Sequence, residues 1–119
     1  MDEHDDFEKS DRDGFMALLS EPIVSYNGML FRKGSFEPKS IDHRMKNKRP
    51  AEVQRELNHT HLFLYAVDLR TQQDWAQELE RHWLKRCESD FPKLRVHIER
   101  ADNGEEVIVT FWAETKEDE

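Results

Sequence analysis

An α+β fold is what this chain predicts: an antiparallel or mixed sheet of about four to five strands with one long amphipathic helix on one face. Three observations lead there. Asn27-Gly28 and Asn103-Gly104 each lie between apolar runs, and Asn-Gly in that setting is the strongest short-range sign of a β-hairpin. Residues 71–89 place Trp75, Ala76, Leu79, Trp83 and Cys87 on one stripe at helical spacing. The run His61–Leu69 is apolar on both faces of an extended chain, the pattern of a strand buried on both sides.

Taken in order, residues 1–9 are acidic and aperiodic and read as a mobile tail. Ser10 and Asp13 then resemble a capping box before a helix over 11–20, with Phe15, Leu18 and Leu19 on its apolar side and Pro22 beyond its end. A hairpin at 23–32 follows, with Tyr26 opposite Met29 and Val24 opposite Phe31. Residues 33–49 lack an apolar period, are rich in Lys and Arg, and read as a long basic loop. Pro50 suits the first position of a short helix over 50–57, with Val53 and Leu57 inward. The central strand 61–69 comes next, and the helix 71–89 follows it with Thr71 as its cap.

The last hairpin spans 93–114. With a two-residue loop at Asn103-Gly104, Ile98 pairs with Val109, Val96 with Phe111 and Leu94 with Ala113, all on one face. The opposite face is mixed and carries Ile108 and Trp112. If only one helix layer covers the sheet, these two are exposed and invite a second chain. Residues 115–119 read as frayed. Nothing in the pattern divides the chain, so one domain over 1–119 is expected.

Composition narrows the function classes. The chain has 119 residues and a net charge of −8, unevenly spread. Residues 1–22 hold eight acids and two bases, residues 29–50 hold seven bases and two acids, and the rest is acidic. An acidic whole repels nucleic acid and anionic membrane at long range, while a basic island acts only within about 8–10 Å. No run approaches the ~20 apolar residues of a membrane span, and the N-terminus lacks the apolar core of a signal peptide. With a single cysteine, Cys87, no internal disulfide forms, and a reducing cytoplasmic setting is the expectation.

Three constellations carry chemistry. His59 and His61 stand at i and i+2, on one side of an extended chain, where two imidazoles share a metal if His97 on the last hairpin supplies a third ligand. Lys39, Arg44, Lys46, Lys48 and Arg49 form a basic cluster. The last two precede a helix N-terminus, where cations are unfavourable and an incoming phosphate would relieve them. Cys87 sits on the core stripe and reads as a small hydrophobe. No nucleophile elbow, zincin motif or glycine-rich phosphate loop is present, and no cofactor is implied.

The leading expectation is a small soluble, non-enzymatic binding module that acts through a protein partner or by self-association, with Ile108 and Trp112 at the interface. The second is a phosphate or nucleic-acid binder using the cations of 39–49. The third is a small metal-assisted hydrolase built on His59, His61 and His97.

Overall fold

The computed structural model describes residues 10–116; the acidic tail expected over 1–9 and the last three residues of the frayed end lie outside them. Among the described residues there are four α-helices and five strands. In order they are α1 (Arg12–Ser20), β1 (Ile23–Tyr26), β2 (Met29–Arg32), α2 (Pro38–Arg44), α3 (Pro50–Leu57), β3 (Thr60–His61), α4 (Leu69–Asp90), β4 (Leu94–Asp102) and β5 (Val107–Thr115). The class is α+β. The strands form two antiparallel sheets, β1-β2 and β3-β5-β4, in place of the single sheet expected.

Local chemistry explains the elements. In the first hairpin Asn27 (φ 53°) and Gly28 (φ 81°) both take the left-handed conformation of a two-residue turn, and Tyr26 pairs with Met29 and Val24 with Phe31. Asp11 rather than Ser10 caps α1, its carboxylate accepting from Gly14 N at 2.8 Å, because Ser10 is drawn into a β-bridge with Ala66. Asp68 rather than Thr71 caps α4. Its Oδ2 accepts from both the backbone N–H (2.9 Å) and the hydroxyl (3.0 Å) of Thr71, which holds the Asp68 carboxyl below its ordinary range.

Two expectations over 33–69 are corrected. The basic segment 33–49 is no loop: after a 3₁₀ turn it forms α2, capped by Glu37 accepting from Ser40 N, with Pro38 in its first turn and Ile41 fully buried. The strand at 61–69 stops after His61, and Leu62–Leu64 make a 3₁₀ turn. The centre of the larger sheet is β5.

The second hairpin also departs from its expected register. Ile98 faces Phe111, Val96 faces Ala113 and Leu94 faces Thr115. That is two residues from the expected pairing, and a two-residue slip keeps every side chain on its face. The cause lies in the turn. Only Gly104 has positive φ, so a two-residue turn that needs two such residues cannot form. Asn103 instead closes a four-residue loop, its side-chain oxygen accepting from the backbone N–H groups of Glu105 (2.8 Å) and Glu106 (2.9 Å).

The main core lies between α4 and the apolar face of β4-β5. Leu79, Trp83, Cys87, Val107, Val109 and Phe111 are buried there, and the Trp83 and Phe111 rings meet edge-to-face at 4.7 Å. α1 closes one flank by stacking Phe15 on Trp75, with Arg12 forked onto Glu78. A second cluster of Met29, Phe31, Ile41 and Val53 joins the first hairpin to α2 and α3.

Between the clusters runs a seam made by side-chain amides. Alternate residues of a strand turn their peptide groups toward one neighbour and then the other. Val107, Val109, Phe111 and Ala113 turn theirs away from β4. Val109 pairs with Thr60 of β3. The others meet buried carboxamides: Val107 N donates to Gln72 (2.9 Å), Phe111 O accepts from Asn58 (3.0 Å), and Ala113 uses both its groups on Gln54 (2.7 and 2.9 Å). Gln54 on α3 and Asn58, its C-cap one turn later, also hold β2. Gln54 accepts from Leu30 N (3.0 Å), while Asn58 donates to Leu30 O (2.9 Å) and accepts from Arg32 N (2.9 Å). An amide carries donor and acceptor on one plane, as a peptide does, so α3 supplies substitute rungs between the two sheets.

Gln54→Ala leaves the N–H of Leu30 and both peptide groups of Ala113 without these partners in a dry site. It is expected to lower the free energy of unfolding by about 3 kcal/mol or more. Urea denaturation of both proteins checks this; a loss below about 1 kcal/mol would mean that the amides do not hold the seam.

Candidate functional site

The three histidines do not converge. His61 lies opposite Ile108 on β5, whereas His97 lies opposite Trp112, four residues or roughly 13 Å further along that strand. The His97 ring stacks on Trp112 (5.1 Å, 19°) and its Nε2 contacts Glu114 at 2.6 Å. His59 and His61 do come together, ring centroids 4.7 Å apart, but His61 Nδ1 contacts Glu106 at 2.8 Å. Among the described residues no group of three or more His, Cys, Asp or Glu is placed to hold a metal ion.

The basic cluster is partly neutralised from within. Arg44 and Lys48 both bind Glu56, at 2.8 and 2.7 Å, and the Lys48 bond foremost pulls the Glu56 carboxyl below its ordinary range. At the start of α3, Glu52 reaches back to accept from Arg49 N at 2.9 Å, occupying a donor that an incoming anion would use. Lys39, Lys46 and Arg49 extend from the surface at separate points of α2 and the bend after it.

Ile108 and Trp112 are half-buried: α3 packs against β5 and brings Arg55 and His59 over the mixed face. The Arg55 guanidinium sits 4.9 Å from the Trp112 ring centre while His97 stacks on that ring, so Trp112 is held between two polar groups. Ile108 and Ala101 floor a cleft of about 390 Å³ beneath α3. Its rim carboxylates are engaged: Glu99 binds Arg55 at 2.7 Å and Glu56 binds the two cations named above. The hydroxyl of Thr110 in this cleft donates to Arg55 O at 2.9 Å.

What the sequence does not reveal is the apolar surface after His61. In the 3₁₀ turn, Tyr65 N and Ala66 N both donate to Leu62 O. Leu62 and Ala66 therefore point inward at helical rather than strand spacing, and Phe63, Leu64 and Val67 point out. These three are 47, 64 and 62 % exposed, the largest group of exposed apolar side chains near one another in sequence among the described residues. The backbone beneath them is fixed. Asp11 N donates to Tyr65 O (2.6 Å), Ser10 bridges Ala66, and Gln72 donates to Val67 O (3.2 Å). The Phe63 ring meets the His61 ring edge-on at 5.5 Å, so His59, His61 and Phe63 line up beside the patch. Two carboxylates stand at its margin, Glu106 on His61 and Asp68 next to Val67, with the exposed Arg70 beyond Asp68. The sequence signal was a run with no polar face, which fits a central strand or a surplus of apolar residues for the surface equally well.

No known protein family, curated protein or solved structure matches the chain.

Burial, followed by the neighbouring charge of His61, pushes the imidazole of His59 below its ordinary value of 6.5. A proton then binds the unfolded chain more readily. The contribution of neutral His59 to stability is complete above pH 6.5 and is lost as pH falls through the folded value. An NMR titration is expected to place the His59 midpoint below 6.5 and to move it upward in His61→Ala; a midpoint at or above 6.5 would contradict the packing described. Burial also pushes the Cys87 thiol up to about 11. A disulfide reagent at pH 8 is therefore expected to spare the native protein and to label it fully in urea, and rapid labelling of the folded chain would show Cys87 to be accessible.

Proposed function

We propose that this protein is a non-enzymatic binding module that engages a protein partner through Phe63, Leu64 and Val67. One observation carries the reading: three exposed apolar side chains within five residues stand outward on a backbone pinned by hydrogen bonds to Ser10, Asp11 and Gln72. Large apolar groups on a rigid support lose little entropy on docking, which is the property of an interface anchor. The same residues could not lie at the surface merely through local looseness, since Leu62 just before them and Ala66 among them are fully buried. The marginal carboxylates of Glu106 and Asp68 suit an apolar partner segment flanked by Lys or Arg. Anion binding by residues 39–49 draws less support, because Glu56 already neutralises Arg44 and Lys48. The metal-assisted hydrolase draws less still, because His97 stands apart from His59 and His61.

Selection of a displayed peptide library against the purified protein tests this reading. Apolar peptides with basic flanks are expected to emerge, to bind more weakly as salt rises, and to lose binding to the Phe63→Ser/Leu64→Ser double variant. Because both side chains are exposed, that variant is expected to keep its unfolding free energy within about 0.5 kcal/mol. Peptides that bind the variant as well as the original chain would refute the assignment of the patch.

A further inference from the structure

The two edges of the larger sheet are treated differently. The β5 side is closed by β3 and by three buried carboxamides. On the other side, β4 is an edge strand of nine residues, and among the described residues no strand pairs with its outer edge. Since Val107, Val109, Phe111 and Ala113 turn their peptide groups away from β4, the alternation of an antiparallel pair assigns the ladder bonds to Ile108, Thr110, Trp112 and Glu114. Their partners on β4 are Arg95, His97, Glu99 and Ala101, so Val96, Ile98 and Arg100 aim their N–H and C=O groups outward. A row of such groups is a template for another strand.

We infer that this edge joins two copies of the chain, β4 against β4 in antiparallel alignment about a two-fold axis at His97. That register is allowed by the outward groups, and it is favoured by the side chains. It sets Arg95 of one copy opposite Glu99 of the other, twice, and Val96 opposite Ile98, twice. A slip of one residue in either direction would lose the outward-to-outward pairing of the peptide groups. The helix layer extends the contact. Leu84 on α4 is 40 % exposed and borders the same groove as Ile98, one residue from the proposed axis. Two copies of this apolar pair meet across the axis, and the product is one six-stranded sheet with both long helices on the same side. The edge is built from residues other than Phe63, Leu64 and Val67, so this inference does not rest on the binding patch.

Sedimentation across a wide range of protein concentration, with charge reversal, tests it. The chain is expected to form a dimer. Arg95→Glu places like charges opposite each other at both Arg95–Glu99 positions, as does Glu99→Arg, and each is expected to weaken dimerisation about tenfold or more. The double variant Arg95→Glu/Glu99→Arg restores opposite signs and is expected to recover most of the loss. Both side chains are exposed, so circular dichroism is expected to show each variant folded. The Phe63→Ser/Leu64→Ser variant is expected to dimerise as the original does. A chain that stays monomeric at the highest attainable concentration overturns the inference, and so does a dimer that neither single reversal weakens or the double reversal fails to recover.

Discussion

The peptide groups on the far side of β5 set the terms for the rest of this fold. They are buried, and a buried N–H or C=O without a partner costs about 1–3 kcal/mol. A full neighbouring strand would satisfy them, but the chain has only the two residues of β3 in that place. Gln54, Asn58 and Gln72 supply what is missing, and all three are sealed from solvent. Since Gln54 and Asn58 bind β2 with the same amides, the seam both completes one sheet and ties it to the other. The two apolar clusters are thus joined by these amides and by β2, which places Leu30 in one cluster and Met29 and Phe31 in the other.

The rotation of α3 follows from that constraint. With Gln54 and Asn58 turned to the seam, Arg55 and His59 fall over the mixed face of the second hairpin. This is why the guanidinium of Arg55 lies over the half-buried Trp112 ring. It is also why Glu56 stands where Arg44 and Lys48 reach it, so that part of the basic cluster serves the fold. Ion pairs this exposed contribute little to stability. Their larger effect is to reduce the positive field that an anion would meet.

The patch at 63–67 has the same origin. A strand continuing from His61 would need the edge of β5 beyond Ile108, and there Gln72 has already taken the N–H of Val107. The chain turns instead, and a 3₁₀ turn directs Leu62 and Ala66 inward while Phe63, Leu64 and Val67 face water. A closed edge therefore generates an exposed apolar surface beside it. The unclosed edge at β4 differs in kind, because it presents peptide groups alternating with Arg and Glu side chains. The molecule thus carries one surface suited to an apolar anchor and one suited to strand pairing.

Local chemistry was readable wherever a residue dictates its own backbone or a face repeats. Asn27-Gly28 set the first turn and its register. The stripe of α4 and the apolar face of the last hairpin met as their periodicities required, with Leu79, Trp83, Val109 and Phe111 buried together. Ile41, the lone apolar residue of 39–44, and the Glu37-Pro38 start were the signals for α2, but one buried side chain makes no period. By itself the sequence determined the class, the helices over 11–20, 50–57 and 71–89 to within a few residues, and which face of each long element is apolar, because those depend on neighbours a few residues away. Only the tertiary structure decided the two-residue shift of the second hairpin, the end of β3 at His61, the burial of Gln54 and Asn58, and the separation of His97 from His61. Those outcomes turn on which distant peptide groups lack partners, and a chain read residue by residue does not contain that information until its edges have met.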